Sequence, residues 1–134
     1  MHNQENIDLT RYRLSQAKEN IEEAKALFSI NKFKGASNRA YYAIFHAIKA
    51  VLALEPIDFK KHSSVLAYFN KEYISKEIFP KDYGKYITNI RYYRENSDYV
   101  DFFMISKDDC QVQIRNAEFL VSEIEKYLQT KIDQ

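Results

Sequence analysis

The sequence has little of what builds tight turns and cross-links. Two glycines and two prolines in 134 residues leave too little turn chemistry for a sandwich, a barrel or a Rossmann crossover. A single cysteine, Cys110, excludes an internal disulfide framework and a cysteine-rich zinc site. Tryptophan is absent. No stretch nears the ~18 uninterrupted apolar residues of a transmembrane helix, and Met1 to Asn6 lack the basic start and apolar run of a signal peptide. These absences lead us to expect a cytoplasmic protein with no membrane association. Charge of one sign is missing too. With 20 Lys+Arg against 19 Asp+Glu, no global field draws the chain to nucleic acid, and such binding needs a local patch. No P-loop, GxGxxG, HExxH or GxSxG motif occurs. The three histidines, His2, His46 and His62, form no ligand motif, so neither metal nor cofactor is expected.

What is present is the raw material of a helical domain. Hydrophobic residues make up 46% and charged residues 29%, a globular balance rather than a disordered one. The length gives one domain, 1–134, with an ordered core over about 8–128. The first helix is expected from about Asp8 to Ile30, with Leu14, Ala17, Ile21, Ala24 and Phe28 on one face. The second, about Phe33 to Leu54, carries an alanine ridge (Ala36, Ala40, Ala43, Ala47, Ala50) that lets helix axes approach closely. It is apolar on so many sides that most of it must be buried, part of it in an oligomer interface on one reading. Pro56 is expected to end it. A shorter helix follows over about Ser63 to Glu72, then a connector to Pro80 and a fourth helix from Lys81–Asp82. Between Val100 and Ile105 a strand and an irregular turn read alike. Ser106 and Asp109 resemble a capping box before the last helix. There Cys110, Ile114, Ala117, Val121, Ile124 and Leu128 form a heptad-like seam. The fold class expected is all-α, an up-and-down bundle of four main helices plus a short one.

Two clusters could carry chemistry. Arg39 and His46 lie seven residues apart, which returns them to within ~20° of one helix face, about 10 Å apart along the axis. An arginine that stabilises phosphate charge and a histidine that moves protons are what metal-free RNA cleavage needs. Those same residues also suit an ion pair and a core histidine. The second cluster is Arg91, Arg94, Asp98 and Tyr99 with Tyr92 and Tyr93. Arginines interleaved with aromatics suit phosphate contact and base stacking, while Arg94 and Asp98 at i,i+4 also suit an ordinary helix ion pair. His62 stands at the entrance of the third helix, beside Lys60–Lys61, in a capping or loop position. Glu22 and Glu23 read as a solvated face, and Cys110 as a buried, inert thiol.

The segment from Ala36 to His46 resembles the A-x-x-R-A-Y-Y-A-x-F-H-A helix of small prokaryotic HEPN (higher eukaryotes and prokaryotes nucleotide-binding) proteins. His62-Ser63-Ser64-Val65 with Phe69, and Arg94 to Tyr99, stand where that group's second and third signatures are expected. The resemblance spans about residues 10–128. It implies a helical bundle, usually a homodimer with a cleft at its interface. It also implies RNA or nucleotide binding, and in many members metal-independent endoribonuclease activity as a toxin paired with a minimal nucleotidyltransferase antitoxin. Active members separate an Arg from a His by four to six residues. Arg39 and His46 have six between them. Arg94 has four before Tyr99, so on that alignment a tyrosine has replaced the histidine. A phenol with a pKa near ~10 is a poor base at neutral pH, which leaves a binding role on that alignment. The resemblance thus implies Arg39, His46 and Arg94 as catalytic residues, with Asp98, Tyr99, Tyr42, Arg91 and His62 at the binding site. A non-catalytic dimeric module that binds a nucleotidyltransferase or a nucleotide stands as the alternative.

Overall fold

A computed structural model describes residues 2–55, 57 and 59–134. Five α-helices carry the fold: α1 (Gln4–Ser29), α2 (Phe33–Leu54), α3 (His62–Phe69), α4 (Asp82–Tyr99) and α5 (Lys107–Ile132), with a π-helical turn at Asn70–Ile74 after α3. No strand occurs among the described residues. The protein is an all-α helical bundle.

Helix α1 starts one turn earlier than the apolar pattern predicts because Asn3 caps it, its side chain accepting from the Glu5 amide at 2.7 Å. Scarcity of glycine shows at its other end. Asn31 takes the left-handed turn (φ 62°), and the Lys32 amide reaches back to the Leu27 carbonyl at 2.9 Å, a closure usually served by glycine. Helix α2 ends at Leu54, as expected, with the Glu55 amide bonded to the Leu52 carbonyl; Pro56 lies outside the described residues, as does Asp58 in the loop that follows. Helix α3 is shorter than expected, giving way to the π-turn at Asn70. Val100 to Ile105 resolve into an irregular turn with Phe102 left-handed (φ 61°). Ser106 caps α5 through the Asp109 amide at 3.0 Å.

The three-residue turn after α1 makes α1 and α2 an antiparallel hairpin, the most extensive packing in the molecule. Thr10 donates to the Ala50 carbonyl (2.9 Å) and Arg13 to that of Lys49 (3.0 Å), tying the start of α1 to the last turns of α2. Every alanine of the ridge is fully buried, as are Ala17 and Ala24 opposite, so small side chains do bring these axes together. Helix α5 packs on both, with its seam residues buried and Ser37 bonded to Gln113. The apolar faces of α2 are therefore filled within one chain by α1, α3, α4 and α5.

Helix α4 is the exception to this burial. Only Ile90 and Ser97 are buried along its 18 residues. It leans on α2 through side chains that belong to the site.

Candidate functional site

Arg94 projects from α4 across to α2. Its guanidinium lies 5.7 Å from the ring centroid of Tyr41 and 5.6 Å from that of Tyr42, within cation–π range. One terminal nitrogen donates to the Tyr42 hydroxyl at 3.2 Å. The other pairs with the Asp98 carboxylate one turn further along α4. Its Nε is sealed from solvent and unpartnered. A guanidinium held from four directions is fixed in place, and its unused hydrogens sit on the two terminal nitrogens. The i,i+4 pair with Asp98 was legible in sequence. The grip on Tyr41 and Tyr42 was not, and it fuses the two sequence clusters into one assembly.

Arg91, one turn earlier, is built differently. Its Nε donates to Glu95 at 2.8 Å, while its terminal nitrogens have no partner among the described residues. Both arginines line an open cleft of about 500 Å³ with Tyr41, Lys61, His62, Ser63, Glu95 and Tyr99. Tyr99 is 83% exposed and forms part of the rim.

The histidine in this cleft is His62. It opens α3, and its ring stacks on Phe45 with centroids 4.0 Å apart and planes 29° off parallel. Burial pushes its pKa below the ordinary histidine value, and the charges of Arg94 and Lys49 push the same way. The imidazole is thus neutral at neutral pH, the form that accepts a proton. His46 sits behind, half-buried, 6.1 Å from the Tyr42 ring, and does not line the cleft. Its Nδ1 is 2.7 Å from the Asn20 amide oxygen on α1. Burial lowers its pKa first, then Lys49, Arg13 and His62; the Tyr42 carbonyl one turn back partly offsets them. Arg39 is partly exposed, lies outside the cleft lining, and makes no hydrogen bond or ion pair among the described residues.

The structure therefore brings together Arg91, Arg94, His62 and Tyr99 around the cleft, with Tyr42 and Asp98 bracing Arg94. His46 stands next to this group and Arg39 apart from it. Sequence reasoning missed Tyr41, Lys61, Ser63, Glu95 and Asn20. Glu95 carried a signal, four residues after Arg91; Asn20 carried none, because its partner is 26 positions away. No group of three His, Cys, Asp or Glu among the described residues could hold a metal ion. Two guanidiniums, an ammonium and a neutral imidazole around one cleft suit a phosphodiester, whose charge the cations take and whose neighbouring hydroxyl the imidazole can deprotonate.

A model of the HEPN domain matches residues 10–127. This chain belongs to the HEPN domain family. Among similar proteins, a UPF0332 protein of Thermotoga maritima is 32% identical over 121 residues, covering 90% of this chain and 92% of its own. Two proteins of Methanocaldococcus jannaschii, named "Putative toxin MJ0605" and "Putative toxin MJ0142", are 34% and 29% identical. They cover 84% and 88% of this chain, and 83% and 80% of their own lengths. The matched span runs from α1 through α5, so it includes every residue of the cleft. No helix among the described residues is long and apolar enough to cross a membrane.

Proposed function

We propose that this HEPN protein is a toxin that binds RNA through the α3–α4 cleft and cleaves it by attack of a 2′-hydroxyl on the adjacent phosphate. The observation that carries this reading is the placement of His62, neutral, in the same cleft as an immobilised Arg94 and a terminally free Arg91. The toxin names of two relatives support it. His62 takes the 2′-hydroxyl proton. Arg91 and Arg94 stabilise the negative charge that builds on the phosphorane. The 5′-oxygen departs with a proton from solvent, leaving a 2′,3′-cyclic phosphate. Tyr99, at the rim, offers a face for base stacking. Asp98 and Tyr42 act by holding Arg94. His46 and Arg39, the catalytic pair the sequence suggested, stand behind and beside this group. In this scheme His46 supports the site from the second row.

Incubating the purified protein with RNA in EDTA tests the reading. Cleavage to cyclic-phosphate ends that His62→Ala abolishes is the expected result. Cleavage equal in wild type and His62→Ala removes His62 from the chemistry, and absence of both cleavage and RNA binding overturns the reading as a whole.

A specific feature also favours the partner-holding role. Tyr99, at the end of the cleft-bearing helix, and Val100, Phe102 and Met104 just beyond it are exposed, Phe102 by 99% and Met104 by 87%. An apolar run of this kind suits a protein partner. We propose it as the contact for a second copy or for a nucleotidyltransferase antitoxin, an arrangement that would place the partner over the cleft's rim.

A further inference from the structure

We propose that Asn20, itself oriented by Glu23, fixes His46 as the Nδ1–H tautomer and leaves the Nε2 lone pair free, making Asn20 and Glu23 positioning residues for that histidine. A carboxylate only accepts, so the 2.8 Å contact between Asn20 and Glu23 Oε1 must use the amide Nδ2 as donor. That settles which way the amide faces, and its oxygen is left 2.7 Å from His46 Nδ1. An amide oxygen accepts only, so Nδ1 carries the hydrogen. The Tyr42 carbonyl one turn back, a second pure acceptor, also favours a hydrogen on the ring. Nε2 makes no side-chain hydrogen bond among the described residues.

Such a chain of carboxylate, amide and imidazole orders the ring as the third member of a catalytic triad orders its histidine. A histidine side chain free in water prefers its hydrogen on Nε2, so the protein is working against the intrinsic preference. Asn20 is 7% exposed, and a buried amide with both ends used is expensive to misorient. Five charged or titratable groups surround His46: Arg13 and, through Asn20, Glu23 from α1, Tyr42 and Lys49 from α2, and His62 from α3. Three of them oppose its protonation, so the neutral ring, in which tautomer matters, is the working form. The importance of this tautomer for turnover rests on the RNA-cleaving reading above; the tautomer itself does not.

Long-range proton–nitrogen NMR of the full chain, above the titration of His46, reads the assignment directly. Wild type is expected to show a pyrrole-type Nδ1 and a pyridine-type Nε2. Asn20→Leu, which keeps bulk and removes the acceptor, is expected to move the population towards Nε2–H. Asn20→Asp keeps the acceptor and adds charge, so it should retain Nδ1–H and raise the titration midpoint of His46. A wild-type ring in the Nε2–H form overturns the proposal. So does an Asn20→Leu ring still in the Nδ1–H form, since the Tyr42 carbonyl would then suffice alone. Were Asn20→Leu not to fold, an unmoved His46 midpoint in Asn20→Asp overturns it instead. RNA cleavage read on the same samples separates the two claims. Nδ1–H in a protein that leaves RNA intact sinks the nuclease reading alone, whereas on that reading Asn20→Leu lowers kcat with KM unchanged.

Discussion

Replacing Arg91 by methionine tests the cleft where the outcome can be read without unfolding the protein. In the native state Arg91 gives one hydrogen bond, from Nε to Glu95, and that side chain is 54% exposed. An exposed i,i+4 pair is worth about 0.3–0.5 kcal/mol, and methionine is nearly as good a helix former as arginine. Melting should therefore fall by no more than ~2 °C for a domain of this size. Binding should respond far more. A charge-assisted hydrogen bond contributes about 1.5–3 kcal/mol, so loss of the free terminal nitrogens predicts about a ten- to hundredfold weaker affinity for single-stranded RNA. One fewer neutralised phosphate also lowers the slope of log K against log salt by about 0.7. Glu95, left unpaired at the cleft, adds repulsion, which the double variant Arg91→Met/Glu95→Gln separates out. Fluorescence anisotropy over a salt series, with thermal melts in parallel, makes the measurement. Unchanged affinity and an unchanged salt slope in a folded variant would refute the assignment of this cleft to phosphate.

The remaining expectations are narrower. Arg94→Ala, unlike Arg91→Met, should destabilise the fold by about 2 kcal/mol, because a charged hydrogen bond and cation–π contacts go together; a cycle with Tyr42→Phe in urea melts should show coupling near 1 kcal/mol. Cleavage by wild type should rise with pH through a midpoint below the ordinary histidine value and level off at neutrality, since His62 must be unprotonated and its pKa is lowered. The same depression, in His46 as in His62, means the unfolded chain binds protons first; stability should fall as pH drops below about 6.5, measurably less in His46→Gln. Cys110, buried with its thiol pKa pushed up to about 11, should resist alkylation in the native protein at neutral pH and react once unfolded. Phe102→Gly should raise protomer stability by about 0.5–1 kcal/mol through relief of the left-handed backbone, while weakening any self-association seen by light scattering.

Most of the fold was legible because helices advertise themselves locally. The alanine ridge of α2 and the seam of α5 lie at fixed spacings, and each buried the face its spacing indicated. Helix starts were less legible where one capping side chain decided them, as Asn3 did for α1. The site was legible only in its parts. Arg94, Asp98 and Tyr99 could be grouped because one helix carries them. That Arg94 would close over Tyr41 and Tyr42, 52 or more positions earlier, depends on how α4 crosses α2, and no local spacing encodes that crossing. The same holds for His62. Only the HEPN resemblance set it at the binding site; its local context, a helix entrance beside two lysines, does not encode a ring that lies on Phe45 and faces the arginines.

The sparse burial of α4 has a consequence for how this protein behaves in motion. With two buried residues in five turns, the helix is fastened to the bundle by partly buried Tyr83, Tyr86, Ile87 and Tyr93 together with the clasp of Arg94 on α2. It is the element whose amides should exchange soonest, through openings far smaller than global unfolding. An anion seated between Arg91 and Arg94 would then do more than occupy a surface. By favouring the closed position of its own binding helix, it should slow exchange across α4 at the low-energy openings, while the α1–α2 hairpin responds only through global unfolding.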